Sequence, residues 1–431
     1  MNSKLHYLEK PAGGQRFDAA NTVKNFPRSP LALIVDITCT TPHYDASLAN
    51  ALANYPEVEF RASPFFQDPT IFSESSIKQD LLPVLRRLVD AYPGILRRRW
   101  LWKPLQLYGY LSGCRDMMRH VRRKQVPVLH FQWCKLPFID AWLMRWAQRQ
   151  GVRIVYTVHN ALPHGDRRES ARRAYRRLYH QADALVVLSS FVGQQILDWV
   201  DRSVAAKISV IEHGILELSS PLPDRQTARK ELNLDADAQV AVFIGRLRGY
   251  KGIGDLIDAV GVVRRYLPKL RLIIAGIPDE PFEPYEAQIE RLGLADIVQA
   301  YPQYVSEKFK STLYACADIC ILPYRDPSQS GMGLEALGAG KPLIVTRGGG
   351  LLDLVDEGVN GYTVPIGDAH SLGAAIHEFF TLPFAHQEAM AAASRSLGEQ
   401  RFSWSTIAQK HIELYHRLIQ NQAAKKFSRP V

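Results

Sequence analysis

Hydrophobic residues in this chain gather in short unbroken runs. The first, LALIVDI at 31–37, is bounded by turn residues, and similar runs follow at 127–131, 152–158, 184–188 and 207–211. A run that is apolar at successive positions has both faces to bury, which predicts strands inside a parallel sheet. Segments with helical spacing lie between them, among them 45–54 and 138–150. Strand and helix in alternation predict an α/β fold built on a doubly wound parallel sheet.

After Gly214 the composition changes, and LSSPLPDRQT at 218–227 reads as a linker. The pattern then restarts, with strands expected at 239–244, 270–275, 318–322 and 342–346 and helices at 253–266, 284–292, 307–316, 332–339 and 370–381. An amphipathic helix at 402–420 closes the fold, and residues 1–30, polar and without a period, read as a poorly ordered lead-in. The expected organisation is an N-terminal α/β domain at 31–217, a C-terminal one at 218–400 and the closing helix at 401–420. Two open α/β domains of this kind face a cleft. Ligands in such sheets bind beyond the carboxyl ends of the strands, so chemistry is sought just after each strand.

Composition narrows the class. Of 431 residues, 46% are hydrophobic and 22% charged, which excludes global disorder. No stretch approaches the roughly 18 apolar residues of a membrane span, and the N-terminus has no signal-peptide core. Five scattered cysteines fit a reducing cytoplasm. Cys316 and Cys320, spaced as one helical turn, read as buried packing. The net charge of +10 is one-sided: residues 1–217 hold 30 Lys and Arg against 19 Asp and Glu, and residues 218–431 hold 23 against 24. The excess clusters in Arg97-Arg98-Arg99, Arg122-Arg123-Lys124 and the run from Arg167 to Arg177. Nucleic acid, an anionic membrane or a phosphorylated substrate would suit it, as would a merely solvated face.

Three stretches carry candidate chemistry. In FIGRLRGYKG, 243–252, Arg246 and Lys251 follow a strand on a glycine-rich turn that leads into a helix, a setting suited to a diphosphate. In YRDPSQSGMGLEALGAGKP, 324–342, small residues enter a helix near Met332, whose N-terminus offers free amides. Glu335 is expected in the first helical turn, facing either the helix dipole or sugar hydroxyls. In YTVHNALPHG, 156–165, His159 ends a strand of the first domain and is expected to point into the cleft, with His164 a weaker candidate. Asp235-Ala-Asp237 has the spacing of a metal-binding carboxylate pair but reads as a turn before a strand.

Together the strand-end histidine, GRLRGYKG, the small-residue loop with its glutamate, and TRGGGLLDLVDEGVNGYTVP at 346–365 resemble the family 4 retaining glycosyltransferases of glycosyltransferase-B architecture, over about residues 31–420. The resemblance implies that Arg246 and Lys251 hold the donor diphosphate and that Glu335 binds the nucleotide ribose. It further implies that His159 lies near the transferred sugar, that Ser330, Gly331 and Met332 present amides with Gln329 beside them, and that Tyr304 lies near the base. It implies a nucleotide-diphosphate sugar as donor, no metal or other cofactor, and front-side attack in which the departing phosphate takes the acceptor's proton. The closing helix resembles one that crosses back to the first domain in this family. One departure stands out: Pro327 occupies the position, eight before Glu335, where the family usually has a glutamate, with Asp326 adjacent.

In this architecture the first domain takes the acceptor. The loop TCTTPHYDAS, 38–47, brings His43, Tyr44 and Asp45 toward the cleft. Residues 81–124 mix arginines with Trp100, Trp102, Tyr108 and Tyr110, which suits either an anionic membrane surface or an amphipathic core helix. Arg97, Arg98, Arg99, Trp100 and Trp102 are the expected membrane contacts. The reading is a cytoplasmic enzyme, peripheral at the inner membrane face, that moves a hexose to a lipid-linked or polysaccharide acceptor. A nucleotide-sugar epimerase of the same architecture and a basic nucleic-acid-binding protein are the alternatives. The second lacks any recognised nucleic-acid module, and no nucleic acid is expected as a partner.

Overall fold

The computed structural model describes residues 30–38, 40–62, 99–162, 168–216, 218, 220–327 and 330–427. Within them lie two all-parallel sheets of six strands. The first holds β1 (Ala32–Asp36), β2 (Val58–Ala62), β3 (Val128–Phe131), β4 (Arg153–Val158), β5 (Ala184–Val187) and β6 (Ile208–Val210), in the order β2-β1-β3-β4-β5-β6. The second holds β7 (Gln239–Ile244), β8 (Leu270–Ala275), β9 (Val298–Tyr301), β10 (Ile319–Leu322), β11 (Leu343–Thr346) and β12 (Gly361–Val364), in the order β12-β11-β10-β7-β8-β9. These are two Rossmann-like domains.

The apolar runs became the inner strands. Every residue of β1, β3 and β5 is buried. The strands absent from the sequence reading are β2, β9 and β12, and all three are sheet edges. β2 and β9 are mostly half-buried, and β12, although largely buried, is the mixed sequence GYTV, so none of them carries a continuous apolar run. In β2 only Phe60 and Ala62 are buried.

Strand order reverses between β1 and β3 in the first sheet, where Ala32 pairs with Val128, and between β7 and β10 in the second, where Ala241 pairs with Ile319. A crevice opens beyond the carboxyl ends at such a point, because the flanking connections leave to opposite faces.

One face of the first sheet is covered by α2 (Arg99–Lys124), α3 (Pro137–Arg149) and α4 (Glu169–Gln181). The other carries α1 (Pro42–Leu52) and the terminal helix, Trp404–Phe427. That helix returns from the second domain and plants Ile407, Ala408 and Tyr415 in the core of the first. A buried polar seam fixes it: His130 bonds the Tyr415 hydroxyl at 2.7 Å and Thr157 Oγ1 at 2.7 Å. The domains also meet where Glu212 lies between Arg401 at 3.1 Å and Lys410 at 2.6 Å, and where the Ser190 amide donates to Asp353 at 3.3 Å.

Several local expectations change. The stretch expected as a linker already contains the start of a helix, Arg225–Glu231, because Asp224 accepts from the Gln226 and Thr227 amides at 3.0 Å. Cys316 ends the helix Glu307–Cys316, whereas Cys320 lies in β10; both are buried, but they do not share a helical turn. Residues 99–124 form one helix with Tyr110, Met117 and Val121 in the core, so that part of the basic segment is a core helix. Arg97 and Arg98 lie outside the described residues, as do the side chains of Arg99, Trp100 and Trp102. No described helix is long and apolar enough to cross a membrane.

Candidate functional site

At the switch point of the second sheet, two loops meet. The turn after β7 carries Arg246 and Lys251. Gly252 ends it with φ of 71°, and a Cβ there would sit 1.8 Å from the Pro323 carbonyl oxygen of the loop after β10. Only glycine permits that approach. Gly245 likewise lies against Met332, whose Cγ would be 3.2 Å from an added Cβ. The two loops are thus one surface.

Lys251 is half-buried. Its Nζ lies 3.6 Å from the centroid of the Tyr324 ring and 5.0 Å from that of Tyr250. Among the described residues no carboxylate pairs with it. Burial, and then the Arg248 charge, lower its pKa to about 8. The Tyr324 hydroxyl bonds Ser330 Oγ at 2.9 Å, and Ser330 caps the helix Gly331–Gly338 by accepting from the Gly333 amide at 3.2 Å. The amides of Gly331 and Met332, in the first turn, have no acceptor within the helix. A cation, an aromatic face and a helix N-terminus therefore converge in one chain of contacts.

Arg246 is more exposed and already engaged. Asp279, four residues past β8, takes its Nε at 2.8 Å and also binds Arg248. The two guanidinium groups hold the Asp279 carboxyl down to about 2. Asp279 was absent from the sequence reading, although its place just after a strand was a usable signal. Arg325 in turn clamps Asp255 at the start of the helix Ile253–Val263, Nε to Oδ2 at 2.7 Å, which ties the two loops again.

Glu335 is not in the first turn. The helix begins at Gly331, so Glu335 falls in its second turn, buried, with Lys310 at 3.0 Å and the Tyr314 hydroxyl at 3.3 Å. Burial raises its pKa and Lys310 opposes the rise. Asp326 is exposed, Pro327 is buried against Gly348, and Gln329 lies outside the described residues. Tyr304 is 71% exposed and has no described contact with the other candidates.

At the switch point of the first sheet the groups are different. His159, at the end of β4, is buried with its ring stacked on Trp133 at 4.5 Å and edge-on to Tyr44 at 5.3 Å. It bonds the Gln132 backbone, and burial, then the neighbouring His213, lower its pKa to about 3. The ring is neutral, and its Nε2 has no partner among the described residues. Trp133 is fixed by donating to Thr41 at 3.0 Å, and Lys135 Nζ lies 4.7 Å from its ring centroid. Tyr44 and Asp45 do not sit in an open loop. They belong to α1, which starts at Pro42, and both are buried, while His43 is exposed. The Asp36 carboxylate gathers the preceding loop by accepting from the Thr38 and Thr40 amides at 2.9 and 2.8 Å. Burial and the Asp36 charge then raise Asp45 well above the usual carboxyl range. The Tyr44 hydroxyl and both amide atoms of Gln132 have no bonding partner among the described residues, and Asp45 meets the Asp36 carboxylate. Gln132, Trp133 and Lys135 were missed in the sequence, although they directly follow a strand. His164 lies outside the described residues.

Asp235 and Asp237 lie in a turn, paired with Arg271 at 3.8 Å and with Lys269. Among the described residues no three His, Cys, Asp or Glu side chains gather as a metal-ligand set.

The chain is similar to known proteins in sequence and in fold. Residues 224–397 match the family described as glycosyl transferases group 1, and residues 68–215 match glycosyltransferase family 4. A D-inositol 3-phosphate glycosyltransferase of Corynebacterium glutamicum is 30% identical over 362 residues, 79% of this chain and 83% of that protein. One from Mycobacteroides abscessus is 30% identical over 298 residues, 66% of this chain and 64% of that protein. In fold, the chain resembles Anabaena HepE, solved in complex with UDP, with a TM-score of 0.66 at 18% identity over 90% of this chain and 99% of that one.

Proposed function

The chain belongs to the family 4 glycosyltransferases of glycosyltransferase-B architecture, and from that premise we propose that it moves a hexose from a nucleoside-diphosphate sugar to an acceptor hydroxyl with retention of configuration. The observation that carries the donor is Lys251, a half-buried cation without a carboxylate, stacked on Tyr324 beside a helix N-terminus. A diphosphate supplies the missing anion. The fold neighbour solved with UDP is in keeping with such a ligand.

In this reading the anomeric C–O bond to the diphosphate breaks while the acceptor oxygen bonds the anomeric carbon from the same face. The acceptor's proton passes to the departing phosphate oxygen, so no protein base is required. Lys251, Arg246 and the amides of Gly331 and Met332 stabilise the charge gathering on the leaving group, which is electrostatic catalysis. Glu335 positions the nucleotide ribose. His159, neutral and with Nε2 free, accepts a hydrogen bond from a sugar hydroxyl. The side-chain cations carry the charge that a metal carries in other transferases, so turnover is expected to survive a chelator.

The acceptor belongs to the first domain, where the positive charge is concentrated. The relatives reported above are named for an inositol phosphate, itself an anionic acceptor. We read the acceptor here as a lipid-linked or growing polysaccharide glycan at the inner membrane face. Thermal-shift screening of nucleotide sugars tests the donor: one nucleoside diphosphate and its sugar should raise Tm by mass action. If none does at millimolar concentration, the donor assignment is wrong.

A further inference from the structure

We propose that Tyr44 is a positioning residue for His159, and that through it the His159 ring takes its orientation from the two segments of chain that join the domains. The chain passes between the domains twice, outward after β6 and back where the terminal helix begins at Trp404. The two passages are clasped together. The Ile215 amide donates to the Phe402 carbonyl at 2.7 Å, and Trp404 Nε1 donates to the Ile215 carbonyl at 2.8 Å. Gly214 lets the indole lie against the backbone, since a Cβ there would fall 2.4 Å from Trp404 Cε2.

Tyr44 reaches both passages and the site. Its buried ring has its centroid 4.9 Å from that of His213 on the outward passage, 5.3 Å from that of Trp404 on the return, and 5.3 Å from that of His159. His213 and Trp404 themselves meet at 5.6 Å, which closes a triangle of one ring from α1 and one from each passage. The three contacts of Tyr44 are steep, with interplanar angles of 63°, 69° and 80°. An aromatic edge is positive and its face negative, so such contacts hold a preferred angle that an aliphatic side chain does not. The Tyr44 hydroxyl has no partner among the described residues, so these contacts are made by the ring.

His159 depends on that support. Its bond to the Gln132 backbone anchors one edge of the imidazole and leaves the plane free to swing about it. Trp133 fixes a face, parallel to within 5° at 4.5 Å, and Tyr44 stands against it at 80°. Together they set where the unpartnered Nε2 is aimed. Among the described residues no ring contact joins His159 to Trp404 directly, so a change in the clasp reaches His159 through Tyr44. The value of this placement to turnover rests on the proposed role of His159 beside the donor sugar; the placement itself does not.

The test is nuclear magnetic resonance of the full chain labelled with ¹⁵N-histidine, in which His159→Ala identifies the His159 ring signals. Tyr44→Leu should move those signals, and Tyr44→Phe should leave them in place. Trp404→Phe should move them too, and should move them no further in a chain that already carries Tyr44→Leu. In turnover, Tyr44→Leu should cost up to about tenfold, as His159→Ala does, with nucleoside-diphosphate affinity within about twofold, and should add nothing to His159→Ala. Unmoved His159 signals in Tyr44→Leu overturn the proposal, and so do losses that add to those of His159→Ala. An equal loss in Tyr44→Phe also overturns it, by giving the role to the hydroxyl. Thermal stabilisation by the nucleoside diphosphate that the screen selects shows that the variants fold. Should Tyr44→Leu not fold, Trp404→Phe decides alone, and unmoved His159 signals in it overturn the proposal. Should no nucleotide sugar turn over, the transferase reading fails while the histidine signals still decide the placement.

Discussion

At the carboxyl edge of the second sheet nearly every charged group has a fixed partner; at that of the first, several buried polar groups have none. Asp279 holds Arg246 and Arg248, Asp255 holds Arg325, and Lys310 holds Glu335. Lys251 has no carboxylate partner among the described residues. On the other side, the Tyr44 hydroxyl, the Gln132 amide and His159 Nε2 are buried and have no partner among the described residues. Groups held in place cost little reorganisation when charge develops on a ligand. Buried groups left dry cost about 1–3 kcal/mol each, which water or a ligand recovers on bonding them. On the proposed reading, the second domain is thus built around one constant chemistry, the diphosphate. The first keeps its polarity in reserve.

The largest effect that tests this contrast is at Lys251. Lys251→Ala removes a charged hydrogen bond of about 1.5–3 kcal/mol, so nucleoside-diphosphate affinity and activity should both fall about 10- to 150-fold. Isothermal titration and initial rates measure it. Because its pKa is near 8 when free, wild-type affinity should weaken as pH rises above 8, at most about tenfold per pH unit. Lys251→Arg should bind with little pH dependence over the same range. An unchanged affinity in Lys251→Ala would mean that the diphosphate lies elsewhere.

Legibility followed the same contrast. The Rossmann-like pair and its inner strands could be read because strands buried on both faces write an unbroken apolar run. The edge strands β2, β9 and β12 could not, since their patterns are mixed. In the second domain Arg246, Lys251 and Ser330 stand in glycine-rich turns that show in one dimension. Asp279 reaches Arg246, and Lys310 reaches Glu335, from other elements, and of the two only Asp279 left a local signal, its place just after a strand. Glu335 was named with the wrong turn and without its partner, because the helix start depends on Ser330 as cap. In the first domain His159 was found by its place at a strand end, but Gln132 and Trp133 ended a strand equally well and carried no motif. Asp45 read as a loop residue, and its burial emerges only when α1 packs under the terminal helix.

The next effect in size is at His159. Its Nε2 is a neutral acceptor, so its loss should cost about 0.5–1.5 kcal/mol, up to roughly tenfold in turnover. Nucleoside-diphosphate affinity should stay within about twofold, because on the proposed reading the residue serves the sugar and not the diphosphate. Comparing turnover with binding of the nucleoside diphosphate in His159→Ala separates the two. Equal losses in both would erase the division of labour between the domains, and full turnover would make His159 a packing residue.

The smallest effect is at Asp45, and it concerns stability. Its carboxyl is buried 0% exposed next to Asp36, so the folded chain holds it protonated at pH values where the unfolded chain ionises it. A raised folded pKa gives stability that is complete below the ordinary carboxyl pKa of about 4 and is lost as pH rises toward the folded value. Asp45→Asn keeps the shape and removes the ionisation. The wild type should therefore lose Tm relative to Asp45→Asn as pH rises above about 4, and the two should converge in acid. Melting curves across that range measure it. If the two profiles run parallel, Asp45 is ionised in the fold and has found a cation or a donor, and the first switch point is not the unsatisfied one.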